Sequence, residues 1–114
     1  MPSTPTINSE RLWQRLMEMA KFGSTAAGGC NRQALTDEDA AGRELFMDWC
    51  RQAGCDVVVD PIGNIFARRA GRNMNAGIVM TGSHLDTQPS GGKFDGIYGV
   101  LAGLEVIESL NDHD

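Results

Sequence analysis

The sequence predicts an α/β fold, and three patterns carry that prediction. Apolar residues recur at helical spacing near the N-terminus, around residues 37–53 and at the C-terminal end. Between the last two of these, a pair of β-branched or aromatic runs flanks a turn. A longer apolar run, GIVMTGSHLD, precedes the final helix. The order is helix, helix, hairpin, strand, helix, in a chain of 114 residues that suits one modest domain with a single core.

Residues 1–7 contain two prolines among small polar groups and read as a flexible lead. Ser9 is the expected cap of a helix over 10–21, where Leu12, Leu16 and Met19 or Ala20 share a face and Gly23 suits the stop. STAAGGCNRQA reads as a loop, with Gly28 and Gly29 free to take unusual backbone angles. Thr36 opens a second helix, and Asp37, Glu38 and Asp39 complement its positive N-terminal end. Ala41, Leu45, Phe46 and Trp49 form its apolar stripe, and Gly54 is the expected C-terminal cap.

DVVVD and NIFARR then read as two strands joined through Pro61-Ile62-Gly63-Asn64 as a hairpin. AGRNMNA is a connection, and GIVMTGSHLD is expected as a strand buried on both faces. Residues 97–110 read as a nearly all-apolar helix with Val100, Leu101, Leu104, Ile107 and Leu110 at helical spacing, followed by a polar exit, NDHD.

The formal net charge is −5 and no run of Lys or Arg stands out, which argues against nucleic acid and anionic membranes as partners. The polar start MPSTPTINSE lacks the basic and apolar stretches of a signal peptide, and no apolar stretch is long enough to span a bilayer. Cys30, Cys50 and Cys55 are odd in number and match no C-x-x-C pattern, so reduced thiols in a cytoplasmic protein are expected.

The chemistry concentrates in GSHLDTQPSGGKFDG, residues 82–96. Side chains alternate along a strand, so His84 and Asp86 point to one side, roughly 6.5–7 Å apart along the backbone. They stand at the expected C-terminal end of the strand, the edge where open α/β sheets bind ligands. Gly91 and Gly92 let the following loop double back and return Asp95 to His84. An imidazole is a good zinc ligand, and a carboxylate can bridge two cations roughly 3.5–4 Å apart. Taken singly, Asp86 also fits a strand-end cap and Asp95 a helix N-cap.

Other motifs are weaker. SGGKF lacks the earlier glycine of a phosphate loop, and Phe94 stands where a magnesium-binding Ser or Thr would be. Gly96, Gly99 and Gly103 miss the dinucleotide spacing and read as close-packing positions on the last helix. Lys93 and His113 read as solvated, and Cys30 has no obvious histidine partner.

GSHLDTQPSGGKFDGIYGVLAGLEV resembles the first metal-binding motif of zinc-dependent amidohydrolases in the M20 peptidase superfamily. It is most similar to the N-carbamoyl-L-amino-acid hydrolase, β-ureidopropionase and allantoate amidohydrolase branch. The resemblance extends upstream through GGCNRQALTDEDAAGRELFMDWCRQAGCDVVVDPIGNIFARR. It implies that His84 ligates one metal, that Asp95 bridges two, and that Asp86 supports the histidine and tunes the site. Gln88, Gly91 and Gly92 would shape the loop.

The implied cofactor is a pair of divalent metals, zinc or manganese, cobalt or nickel. The implied reaction is hydrolysis of a linear amide or ureido C–N bond, converting an N-carbamoyl amino acid to amino acid, CO2 and NH3. The general-base glutamate, the remaining ligands and the lid domain that commonly makes such enzymes homodimers have no counterpart in residues 1–114. The expectation is therefore an N-terminal piece: a flexible lead over 1–7, then part of a three-layer catalytic domain with a mixed central sheet over 8–114. Such a piece leaves sheet edge and apolar helix surface exposed and has little activity alone. The alternatives are a non-catalytic α/β remnant and a split subunit that completes a partner chain.

Overall fold

The computed structural model describes residues 3–113, so Met1 and Pro2 of the predicted lead, and Asp114, lie outside the described residues. In chain order the elements are α1 (Ser9–Met19), α2 (Asp37–Gln52), β1 (Asp56–Val59), β2 (Ile65–Arg68) and α3 (Ile97–His113). The α/β class holds, in the incomplete form expected.

α1 is capped one residue earlier than the sequence suggests. The Asn8 side chain accepts from the Arg11 N–H at 3.0 Å, and the Asn8 N–H donates to Glu105 at 2.9 Å. That second bond holds Asn8 outside the helix, so Ser9 becomes its first residue. α2 begins as predicted, with the Thr36 hydroxyl accepting from the Asp39 N–H at 3.2 Å, and Gly54 takes a φ of 85° just past its end. Its buried face carries Gly42, Met47, Trp49 and Cys50, while Leu45 and Phe46 are only half-buried.

β1 and β2 pair antiparallel as the predicted hairpin, with Val57 opposite Ala67 and Val59 opposite Ile65. The Asp60 carboxylate closes the turn by accepting from the N–H groups of Ile62 and Asn64. Among the described residues this pair is the one sheet. The run 77–86, expected as a strand buried on both faces, is extended but joins no sheet. Ile78, Val79 and Met80 are 71 %, 98 % and 73 % exposed. The apolar pattern states what the segment needs, and among the described residues no strand pairs with it. An open groove of about 880 Å3 lies beside it, lined by Phe46, Phe66, Met80, Val100, Leu104 and Ile107 among others.

α3 runs three residues past the predicted stop, because its polar end finds partners. Asn111 donates to the Ala53 carbonyl at 2.8 Å and Asp112 accepts from Arg11 at 2.9 Å. Leu16 and Met19 of α1, Trp49 and Cys50 of α2, Cys55, and Ile97, Leu101 and Leu104 of α3 form the core. Each such apolar side chain contributes roughly 1.5–3 kcal/mol by leaving water.

A charge pair between half-buried Arg11 and buried Glu105 clasps α1 to α3. Glu105, 2 % exposed, takes a two-pronged contact from Arg11, with both bonds at 2.7 Å, and a further 2.8 Å bond from the Ser109 hydroxyl. Arg15 joins the clasp through Glu108 at 2.9 Å and lies over the Trp49 ring at 5.3 Å. Burial alone would push the Glu105 carboxyl up. The Arg11 guanidinium, the Asn8 N–H and the Ser109 hydroxyl outweigh that and hold it at about 2, below the ordinary 4.5.

Two outcomes are expected. A carboxyl depressed by folding stabilises fully above its unfolded value, and that stabilisation is lost as pH falls from about 4.5 towards 2. The melting temperature of Glu105→Gln will therefore lie well below wild type at neutral pH, and the gap will narrow as pH falls through this window. A gap independent of pH would show that the clasp is not ionic. Second, the exposed run 77–83 will drive self-association that grows with concentration, and Val79→Lys will reduce it. Light scattering reads this directly, and a monodisperse wild-type monomer at high concentration would count against it.

Candidate functional site

The segment carrying His84 lies along α3 on three glycines. A Cβ at Gly103 would sit 3.1 Å from the Thr81 methyl, one at Gly99 2.8 Å from the Ser83 Cβ, and one at Gly96 only 2.2 Å from the His84 ring. These are close-packing positions as expected, and what they pack against is the candidate site. Gly96 also has a φ of 75°, which a side chain tolerates poorly.

From the other side, the segment is held by Arg32, which is 1 % exposed. Its guanidinium donates to the Leu85 carbonyl through Nε and Nη2, at 3.1 and 3.0 Å. Nη1 reaches the Met19 and Phe22 carbonyls and the Cys30 sulfur. The Arg32 backbone pairs with Thr87: the Thr87 N–H donates to the Arg32 carbonyl at 2.8 Å, and the Arg32 N–H donates to Thr87 Oγ1 at 2.6 Å. The chain on both sides of Asp86 is thereby fixed.

The loop that follows is shaped differently from expectation. Neither Gly91 nor Gly92 adopts a left-handed conformation. Gly91 is needed for a close approach, since a Cβ there would sit 3.0 Å from the Thr87 Cβ and 3.1 Å from the Cys30 carbonyl oxygen. Gly92 has open space around it. Gln88 is exposed, and its carbonyl accepts from the Thr87 hydroxyl at 2.8 Å. The left-handed turn falls at Gly96, directly after Asp95.

The bend does return Asp95 to His84. His84 Nε2 faces Asp95 Oδ2 at 3.5 Å. On the other side of the ring, Nδ1 lies 2.9 Å from the Asp86 carbonyl oxygen and 3.3 Å from Asp86 Oδ1. A carbonyl only accepts, so Nδ1 carries the hydrogen and the Nε2 lone pair points at a carboxylate. Two acceptors so placed repel unless a cation, a proton or a metal ion, lies between them.

Donors at about 2.0–2.2 Å from one tetrahedral cation stand about 3.3–3.6 Å apart, so this pair fits a shared divalent metal. All three side chains reach solvent. Among the described residues no cluster of three or more His, Cys, Asp or Glu is placed to hold a metal ion, so the donor set offered is this pair. The cysteines offer no competing chemistry. Burial pushes the Cys50 thiol up to about 12 and raises Cys55, while the Cys30 sulfur is engaged by Phe22 and Arg32.

No family model matches the chain. It is 56 % identical over 106 residues to an N-carbamoyl-L-amino-acid amidohydrolase of Rhizobium meliloti, covering 93 % of this chain and 26 % of that protein. It is 45 % identical over 107 residues to the N-carbamoyl-L-amino acid amidohydrolase of Geobacillus stearothermophilus, covering 94 % of this chain and again 26 % of the relative. A crystal structure of a hydantoinase/carbamoylase family amidase from Burkholderia vietnamiensis superposes with a TM-score of 0.94 at 57 % identity, over 99 % of this chain and 27 % of that one. The chain is thus similar to one part of these amidohydrolases. It spans about a quarter of the length of the relatives it matches.

Within this chain, the predicted His84, Asp86 and Asp95 do converge. Sequence reasoning missed Arg32, Thr87 and the role of Gly96. The Asp95-Gly96 dipeptide was a readable turn signal. Nothing local marks Arg32, which lies in a glycine-containing loop.

Gly96→Ala will destabilise the chain by about 1–3 kcal/mol, because it adds both backbone strain and a clash with His84. Gly92→Ala will stay within about 0.5 kcal/mol. Denaturant unfolding of the two variants checks the contrast, and equal effects would refute it.

Proposed function

We propose that this chain contributes one metal-binding face of an amidohydrolase that cleaves linear amide or ureido C–N bonds, with N-carbamoyl-L-amino acids as the substrate class. The observation that carries the reading is the His84 Nε2 lone pair facing Asp95 Oδ2 at 3.5 Å, in a chain whose relatives bear the N-carbamoyl-L-amino-acid amidohydrolase name. His84 serves as a ligand through Nε2. Asp86 holds the tautomer through its carbonyl and supports the imidazole from the Nδ1 side. Asp95 would hold the cation with His84, and its carboxylate could serve a second cation as well. When bound, a divalent ion such as zinc, manganese, cobalt or nickel supplies Lewis acidity for the attack of water on the carbonyl carbon.

A catalytic zinc takes three protein ligands, and the described residues offer two donors. The reading therefore assigns a further ligand and the general base to polypeptide outside the described residues. A cytoplasmic setting belongs to the same reading, supported by three buried free cysteines. Among the described residues no helix is long and apolar enough to cross a membrane.

A second reading, a split subunit that completes a partner chain, is favoured by the unpaired, exposed run at Ile78, Val79 and Met80 beside the apolar groove. The two readings share the metal face.

Titration calorimetry with zinc or manganese tests that face. Wild type will bind, and His84→Ala will bind at least tenfold more weakly. Equal heats from the two proteins would sink the reading. The 114-residue chain alone will show no hydrolysis of N-carbamoyl-L-amino acids. Metal-dependent turnover by it would overturn the assignment of the remaining machinery elsewhere.

A further inference from the structure

The loop over 88–94 is held at two points. In its middle, the Cys30 N–H donates to the Gly91 carbonyl at 2.8 Å and the Gly91 N–H donates to the Cys30 carbonyl at 2.9 Å. At its end, Phe94 stacks on Trp13 of α1, with ring centroids 6.1 Å apart and planes inclined by 30°. Both rings lie largely at the surface, 56 % (Trp13) and 42 % (Phe94) exposed. The stack therefore acts locally rather than by filling the interior.

What it acts on is the start of α3. The Phe94 carbonyl accepts from the Tyr98 N–H at 3.0 Å, and the Asp95 carbonyl accepts from the Ile97 N–H at 2.9 Å. Lys93, Phe94 and Asp95 form a short tether between Gly92, which nothing crowds, and Gly96, which is left-handed. The helix start holds the far end of this tether, and the near end, at Gly92, is free to pivot. The aromatic contact is a restraint from outside the loop, placed on the residue next to Asp95.

We propose that Trp13 is a positioning residue: through Phe94 it sets the separation of the Asp95 carboxylate from His84 Nε2. The proposal rests on the reading that these two groups share a divalent cation. Metal sites need their donors held to within about 0.5 Å, so a tether freed at Phe94 binds more weakly without unfolding the chain.

The test uses the 114-residue chain with two measurements: cobalt(II) titration followed by visible absorption, and amide hydrogen exchange over residues 94–98. Trp13→Ala will weaken cobalt binding about three- to tenfold and speed exchange at these amides. Trp13→Phe, which keeps a flat ring, will restore both, and Trp13→Leu, which keeps only apolar bulk, will not. Should Trp13→Ala lose its fold, the comparison of the Phe and Leu variants decides. Wild-type cobalt affinity in Trp13→Ala or in Trp13→Leu overturns the proposal, as does unchanged exchange. If wild type takes up no cobalt, or His84→Ala takes up as much, the shared-cation reading has failed and the proposal falls with it. The exchange measurement then still separates a loop held by Trp13 from one that is not.

Discussion

A buried guanidinium stands where α1, the 24–34 loop and the site segment meet, and it is surrounded by carbonyl oxygens and a thiol rather than by a carboxylate. Removing a cation from water costs several kcal/mol even after relaxation, so the contacts of Arg32 must be nearly complete to offset it. They are: five hydrogen bonds leave its three nitrogens engaged, and bonds to a charged donor are roughly twice as strong as neutral ones. The carbonyls that solvate this cation belong to Met19 at the end of α1, to Phe22 just beyond it, and to Leu85, between His84 and Asp86. Packing at the N-terminus and orientation of the site are thus two consequences of one requirement. Gly42 belongs to the same requirement, since a Cβ there would press on the Arg32 stem at 3.1 Å and on Leu85 at 3.3 Å.

The opposite wall is built from absent side chains. Gly96, Gly99 and Gly103 let the His84 segment lie against α3, and Gly96 also lets the helix begin beneath the imidazole. Arg32 holds the adjoining backbone at Leu85, and the Gly96 end of α3 lies against the imidazole. Its Nδ1 hydrogen is committed to the Asp86 carbonyl, and its lone pair is committed to the space before Asp95. The site sets an imidazole nitrogen against a carboxylate oxygen at a separation that a shared cation would fit.

The same segment is satisfied at one end and unsatisfied at the other. From Leu85 to Thr87 its polar groups are tied into Arg32, whereas Ile78, Val79 and Met80 face water. A strand with apolar groups on both faces is stable only inside a sheet. This exposure agrees with a match to only about a quarter of the length of its relatives.

Much of this was legible in the residues themselves. Helix starts at Thr36 and stops near Gly54, the hairpin of DVVVD with NIFARR, and the convergence of His84 with Asp95 follow from caps, β-branching and a bend, all interactions over a few residues. The cap at Asn8, the continuation of α3 to His113 and the burial of Glu105 depend on partners about a hundred positions away. Arg32 was unreadable for the same reason: a charge is buried only when distant carbonyls gather around it, and no neighbouring residue announces that. The run 77–86 shows the converse, since its composition demanded a sheet that only other strands can provide. Local chemistry decided which pieces form. Which charges are buried, and which apolar faces stay open, was decided only when the pieces met.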